Sequence, residues 1–265
     1  MGEPLRKAYR ESGPHPSRLK FRKDDVNLRR TKLFLAVNIV TGILLSAGSA
    51  FAASKGEPFL YASIGSAYSD LNETFSNGEY VSLASQFNLL GAFGIGSRFG
   101  QNKEGFFLLQ GRVDRRTYSP PSGFIVNSNQ KTLIDIRAAS SVSSNYFKAG
   151  GSVAYSREPY LVETTSSVVD VQTMNIPSVT ANLGYYLFNT KKVSADIGMQ
   201  GTYYLKPSGI SLKSGNAFGG VFEVQWGTGT TWNIQGAFLK KTFSLSNGEP
   251  KSTQFSVQLG MMVPF

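Results

Sequence analysis

The chain predicts an all-β fold, a single antiparallel up-and-down transmembrane barrel of about ten strands. Three observations carry this. The last segment alternates apolar and polar residues with period two. The same alternation recurs backwards through most of the chain. The connections between these segments alternate long and short. Side chains of a strand point to opposite faces in turn, so a barrel in lipid reads apolar outward and polar inward.

Of the 265 residues, 41% are hydrophobic and 17% charged, with 28 Gly and no Cys. That balance excludes disorder, which needs low hydrophobicity and high net charge. Only one apolar run, near the N-terminus, approaches the roughly 20 residues that a spanning helix requires. The formal charge of +10 is uneven. Ten of the 27 Lys and Arg and four of the 17 acids precede Leu33, so the remainder carries only +4. Nucleic-acid binding needs a concentrated basic face, which the later chain lacks, so no nucleic-acid partner is expected.

Residues 1–32 form a basic leader. Arg29, Arg30 and Lys32 then precede the apolar run from Leu33, which ends in Ala50-Phe51-Ala52. A positive region, an apolar region and a small-residue motif, in that order, make a secretory signal with cleavage expected after Ala52. Gly42, Ser46, Gly48 and Ser49 interrupt the run and disfavour the competing uncleaved anchor. The polar, Pro-containing residues 1–25 are either a long preface or precede a true start at Val26 or Leu28. Arg29-Arg30 hints at twin-arginine export, but a barrel must cross unfolded, which favours the general secretory route. The barrel is expected over residues 53–265.

The strands follow in order. Leu60, Ala62 and Ile64 face away from Tyr61 and Ser63. Phe87, Leu89, Phe93, Ile95 and Phe99 oppose Asn88, Gly94 and Arg98, and Phe107, Leu109 and Val113 oppose Gln110, Arg112, Asp114 and Arg116. Ile134, Ile136 and Ala138 oppose Asp135 and Arg137, while Phe147, Val153 and Tyr155 oppose Lys148, Ser152 and Ser156. Val179, Leu183 and Tyr185 oppose Thr180 and Asn182, and Val193, Ile197 and Met199 oppose Asp196 and Gln200. Phe218, Phe222 and Trp226 alternate with Glu223 and Gln225, and Trp232, Ile234 and Phe238 with Asn233 and Gln235. In the last strand Phe255, Val257, Leu259, Met261, Val263 and Phe265 hold one parity and Gln254, Ser256, Gln258 and Gly260 the other.

Long connections are expected at Asp70–Gln86, Tyr118–Gln130, Glu158–Asn175 and Pro207–Gly215, with short ones between them. Tyr160, Leu161, Val168 and Val169 are apolar for a loop, so Glu158–Asn175 is read as a hairpin rising above the membrane. Short turns on one side and longer loops on the other are the barrel pattern and put both mature termini in the periplasm. A soluble sandwich or lipocalin-like barrel also alternates, with its apolar face inside. Aromatic residues near strand ends, Tyr185, Tyr203, Trp226, Trp232 and Phe265, favour lipid.

The segment Phe255–Phe265, FSVQLGMMVPF, resembles the C-terminal assembly signal of Gram-negative outer-membrane β-barrel proteins. The resemblance implies outer-membrane location and handling by the secretion and barrel-assembly machineries, with outer-membrane lipid as the surrounding partner. Pro264 departs from the pattern by removing one donor at the chain end, which an end position tolerates. Enzymes within the resembled group, omptin proteases, phospholipases and lipid-A acyl- or deacylases, use a His. The one His here, His15, lies in the leader, so no enzyme, no cofactor and no nitrogen- or sulfur-ligated metal are expected. The sparse loop acids Asp70, Glu73, Glu79, Glu158, Glu163 and Asp170 are read as solvated charges in preference to a calcium site.

The inward parity collects Arg98, Arg112, Asp114, Arg116, Asp135, Arg137, Lys148, Asp196 and Glu223. Charges enclosed in a barrel need partners. Two readings follow: a salt-bridge network filling a narrow lumen, or a basic-walled constriction favouring small anions. Both fit a structural or passive barrel or a restricted small-solute pore. The long outer loops offer the alternative of surface adhesion or recognition.

Overall fold

A computed structural model describes residues 56–75, 78–100, 104–165, 168–206, 212–245 and 248–265. The expected signal peptide and its expected cleavage residues Ala50 and Ala52 lie outside the described residues. Among the described residues twelve strands follow one another: β1 Glu57–Thr74, β2 Tyr80–Ser85, β3 Asn88–Phe99, β4 Gly105–Ser119, β5 Ile125–Asn127 and β6 Gln130–Ser143. Then come β7 Phe147–Thr165, β8 Val168–Asn189, β9 Val193–Tyr204, β10 Leu212–Trp226, β11 Thr231–Leu245 and β12 Lys251–Pro264.

Ten of these strands form the ring. Antiparallel pairing runs β1–β3–β4–β6–β7–β8–β9–β10–β11–β12. The ring then closes through β12 on β1, from Phe59 opposite Pro264 to Asn72 opposite Lys251. Closure leaves no unpaired edge in hydrocarbon, where an unsatisfied backbone group costs several kcal/mol. Strand β2 continues the line of β3 beyond a break at Gln86 and Phe87, pairing with the end of β1. Strand β5 stands outside the ring and pairs parallel to β8 at Val168–Asp170.

Two expected loops are therefore strand. Most of Asp70–Gln86 is the end of β1 and all of β2, and Glu158–Asn175 extends β7 and β8 as one long hairpin, as its apolar residues suggested. Backbone groups lifted beyond the lipid still gain by pairing with each other.

The apolar parity faces out on all ten ring strands. Ile64, Phe93, Ile136 and Met199 are each more than half exposed. A monomer in water rarely leaves so continuous an apolar surface uncovered. On β1 the belt runs from Leu60 to Tyr68, where the Tyr68 and Phe87 rings meet at 5.6 Å. Eight steps of about 3.3 Å at a tilt near 40° rise about 20 Å, close to the ~25 Å apolar band of such barrels. Around the short-turn end, Tyr146, Phe147, Tyr185, Trp232 and Phe265 are exposed aromatic residues, and Trp226 sits opposite Trp232. Aromatic rings at strand ends suit the membrane–water interface.

Inside, packing is apolar at both ends and polar between. At the turn end Phe59, Tyr61, Leu108 and Met262 cluster with Phe106. Phe59 stacks on Phe106 at 6.0 Å across the glycines of β3. A Cβ at Gly96 would come within 2.5 Å of the Phe59 ring and 2.3 Å of a backbone oxygen, so glycine is required there. At the loop end Leu161, Val169 and Val171 of the hairpin pack with Leu71, Phe75, Val81, Leu83 and Tyr118. A second cluster joins Met174, Ile176, Tyr204, Leu212 and Phe243.

Candidate functional site

The inward parity puts every predicted lumen residue on the interior face, and the ring decides which of them meet. On β4 the Arg116 guanidinium donates from Nε and Nη2 to Asp114 Oδ2, at 2.8 and 2.7 Å, and from Nη1 to Ser69 Oγ at 2.8 Å. Arg112 reaches the same Asp114 oxygen only at 3.8 Å. Arg137 on β6 is 3.4 Å from Asp135, two residues along its own strand. Across the ring, Lys148 on β7 bridges Asp196 on β9, at 3.6 Å, and Glu223 on β10. Glu223 also accepts from Asn233 at 2.9 Å and from Gln235 at 2.7 Å. Arg98 stands apart near the turn end, donating to Thr231 Oγ1 at 2.9 Å, 6.0 Å from the Phe59 ring centre.

Sequence reasoning missed a second pair. Lys241 on β11 donates to both oxygens of Glu158 on β7, and Tyr204 donates to the same carboxylate at 3.4 Å. Continuing the parity was the available signal. Lys241 follows Asn233 and Gln235 in phase, and Glu158 follows Ser152 and Ser156. Glu73, expected as a solvated loop charge, is instead 3% exposed near the loop-end apolar cluster. Its Oε2 accepts the Leu161 N–H at 3.1 Å. β1 and β7 are four places apart in the ring, so this bond ties the leaning hairpin across the mouth. Burial among apolar side chains pushes the Glu73 carboxyl up to about 7, against the pull of that N–H.

Two cavities lie in the polar interior among the described residues. The larger, about 310 Å³, lies between the Arg112–Arg137 wall and the Lys148–Asp196–Glu223 wall and reaches Glu104 and Ser143 at the turn end. The smaller, about 60 Å³, lies on the loop side and is lined by Asp114, Arg116, Glu158 and Lys241. Arg112, Arg137, Gln200 and Gln254 line both cavities and so form the neck between them. Asp114 Oδ1, Arg137 Nε and Asn233 Oδ1 are buried without a hydrogen-bond partner among the described residues. Such atoms call for water or solute.

The described residues contain no group of three or more His, Cys, Asp or Glu arranged to hold a metal. No family model and no curated protein sequence matches the chain. Solved structures similar to it include the outer membrane protease OmpT from Escherichia coli. The match has 10% identity and a TM-score of 0.42, covering 79% of this chain and 97% of that one. An outer membrane channel from Pseudomonas putida F1 matches at 11% identity and a TM-score of 0.41, over 79% and 96% of the two chains. The translocator domain of the autotransporter NalP from Neisseria meningitidis matches at 11% and 0.35, over 84% and 98%. A barrel fold alone leaves the role to be argued from the lumen.

Proposed function

We propose that the chain is an integral, non-enzymatic protein of the Gram-negative outer membrane whose barrel is structural or passive. The closed ring with an apolar exterior on every strand supports membrane insertion. Export by a cleaved signal, assembly through the C-terminal Phe265 signal, periplasmic termini and outward-facing long loops complete the reading. The lumen is narrow and closed at rest toward the loop end, passing at most small solutes and favouring anions at its neck. One observation carries this: the loop-end mouth is roofed by the β7–β8 hairpin, packed on Leu71, Val81, Leu83 and Tyr118 and tied to Glu73. Below the roof, Arg112 and Arg137 narrow the path between two cavities.

Planar-bilayer recording of the refolded mature barrel tests it. Silence, or brief small anion-selective openings, is expected at neutral pH; sustained large steps would refute the closed lumen.

Surface recognition is the second reading. Tyr80 and Ile125, beyond the belt at the loop end, are each more than 60% exposed, in a position to meet a partner. Loop-dependent cell binding by an electrically silent barrel would favour it.

A further inference from the structure

We propose that the larger chamber binds a small zwitterion, with its carboxylate on the Arg112–Arg137 wall and its ammonium toward Asp196. The proposal rests on the closed-roof reading above and adds a ligand class to it. In a ring of ten, β4 and β10 are five places apart in either direction and so face each other. On the β4–β6 wall three guanidiniums, Arg112, Arg116 and Arg137, meet two carboxylates, Asp114 and Asp135. Arg116 takes Asp114 Oδ2 with two donors and leaves Oδ1 without a partner. Arg112 is left at 3.8 Å, and Arg137 keeps its Nε without a partner. Two guanidiniums at the neck therefore retain donor capacity for a carboxylate, which matches their fork.

The opposite wall carries the reverse excess, Asp196 and Glu223 against Lys148 alone. Glu223 is occupied by Lys148, Asn233 and Gln235. Asp196, with its 3.6 Å contact to Lys148, has acceptor capacity to spare. Gly184 keeps that flank clear, because a Cβ there would lie 3.1 Å from Asp196 Oδ1. Uncompensated charge in a confined interior is costly. A simple anion answers one wall and leaves the other; a zwitterion answers both. The volume of about 310 Å³ equals about ten waters at ~30 Å³ each and falls at the small end of ligand sites. The lining reaches Glu104 and Ser143, so solute enters from the turn end, away from the roof.

Titration calorimetry on the refolded mature barrel in detergent, with three probes of equal chain length, tests this. γ-Aminobutyrate carries both charges, butyrate only the negative and butylammonium only the positive. γ-Aminobutyrate is expected to bind at least about tenfold more tightly than either, the effect of one charged hydrogen bond. Arg112→Gln should weaken it by about tenfold. The near-isosteric Asp196→Asn should do the same while leaving butyrate unchanged, with folding verified by circular dichroism. Butyrate binding as tightly as γ-aminobutyrate would overturn the zwitterion site and leave the anion-favouring neck standing. Failure of all three probes to bind a folded barrel would overturn it too. Bilayer recordings judge the closed lumen separately.

Discussion

Lys241 on β11 donates to both carboxylate oxygens of Glu158 on β7, at 2.9 and 2.8 Å, and so joins two strands four places apart in the ring. Both side chains are under a tenth exposed. The bond spans the lumen rather than a hairpin, so it braces the barrel against collapse or ovalisation. Removing one partner strands the other. Glu158→Ala is expected to destabilise the barrel by about 3 kcal/mol, whereas Glu158→Leu with Lys241→Met should recover most of that loss. Urea unfolding in micelles, followed by circular dichroism, measures both. Equal loss in the single and double variants would contradict the pairing.

The roof should tighten in acid. Burial raises the Glu73 carboxyl to about 7 in the folded protein, above its ordinary 4.5. The neutral form is therefore the one the fold prefers. This contribution is fully present below about 4.5 and is lost as pH rises through about 7. Hydrogen exchange at the Leu161 amide, which donates to Glu73, should be slower at pH 5 than at pH 8 once corrected for the intrinsic rate. Glu73→Gln should flatten that difference.

The anion preference proposed for the neck is open to test. Arg112 and Arg137 line both cavities, so the Arg112→Ala/Arg137→Ala pair should shift whatever openings occur away from anions. Reversal potentials in a salt gradient report the change, and an unchanged potential would place the path elsewhere.

The belt is equally exposed to test. Ile136 is 57% exposed at mid-belt. In water Ile136→Arg would shift stability by no more than about 0.5 kcal/mol, but in a bilayer it should cost about 2–4 kcal/mol. Unfolding titrations in liposomes separate the two.

Much of this architecture is written in alternation. The phase of Phe255, Leu259 and Phe265 fixes which face β12 turns outward, and the same reading placed Arg112, Asp196 and Glu223 inside. Alternation is local, however, and says nothing of partners across a ring. Lys148 finds Glu223 because β7 and β10 lie three places apart once the ring closes, a relation set by strand number and stagger. Glu158 and Lys241 carry the correct phase, yet the first stands at the edge of an expected loop and the second beside Lys240. The parallel pairing of β5 with β8 was illegible for the same reason: three residues, Ile125–Asn127, carry no period of their own. The β7–β8 extension left a clearer trace in Tyr160, Leu161, Val168 and Val169, which were too apolar for a solvated loop.

Membrane insertion requires the apolar phase to meet lipid. The chain has no Cys, so single cysteines at Phe255, Ser256, Val257, Gln258 and Leu259 can each carry one spin label in liposome-reconstituted barrel. Accessibility to oxygen, which concentrates in hydrocarbon, should peak at 255, 257 and 259 and fall at 256 and 258. An inverted pattern, or one without period two, would contradict the account.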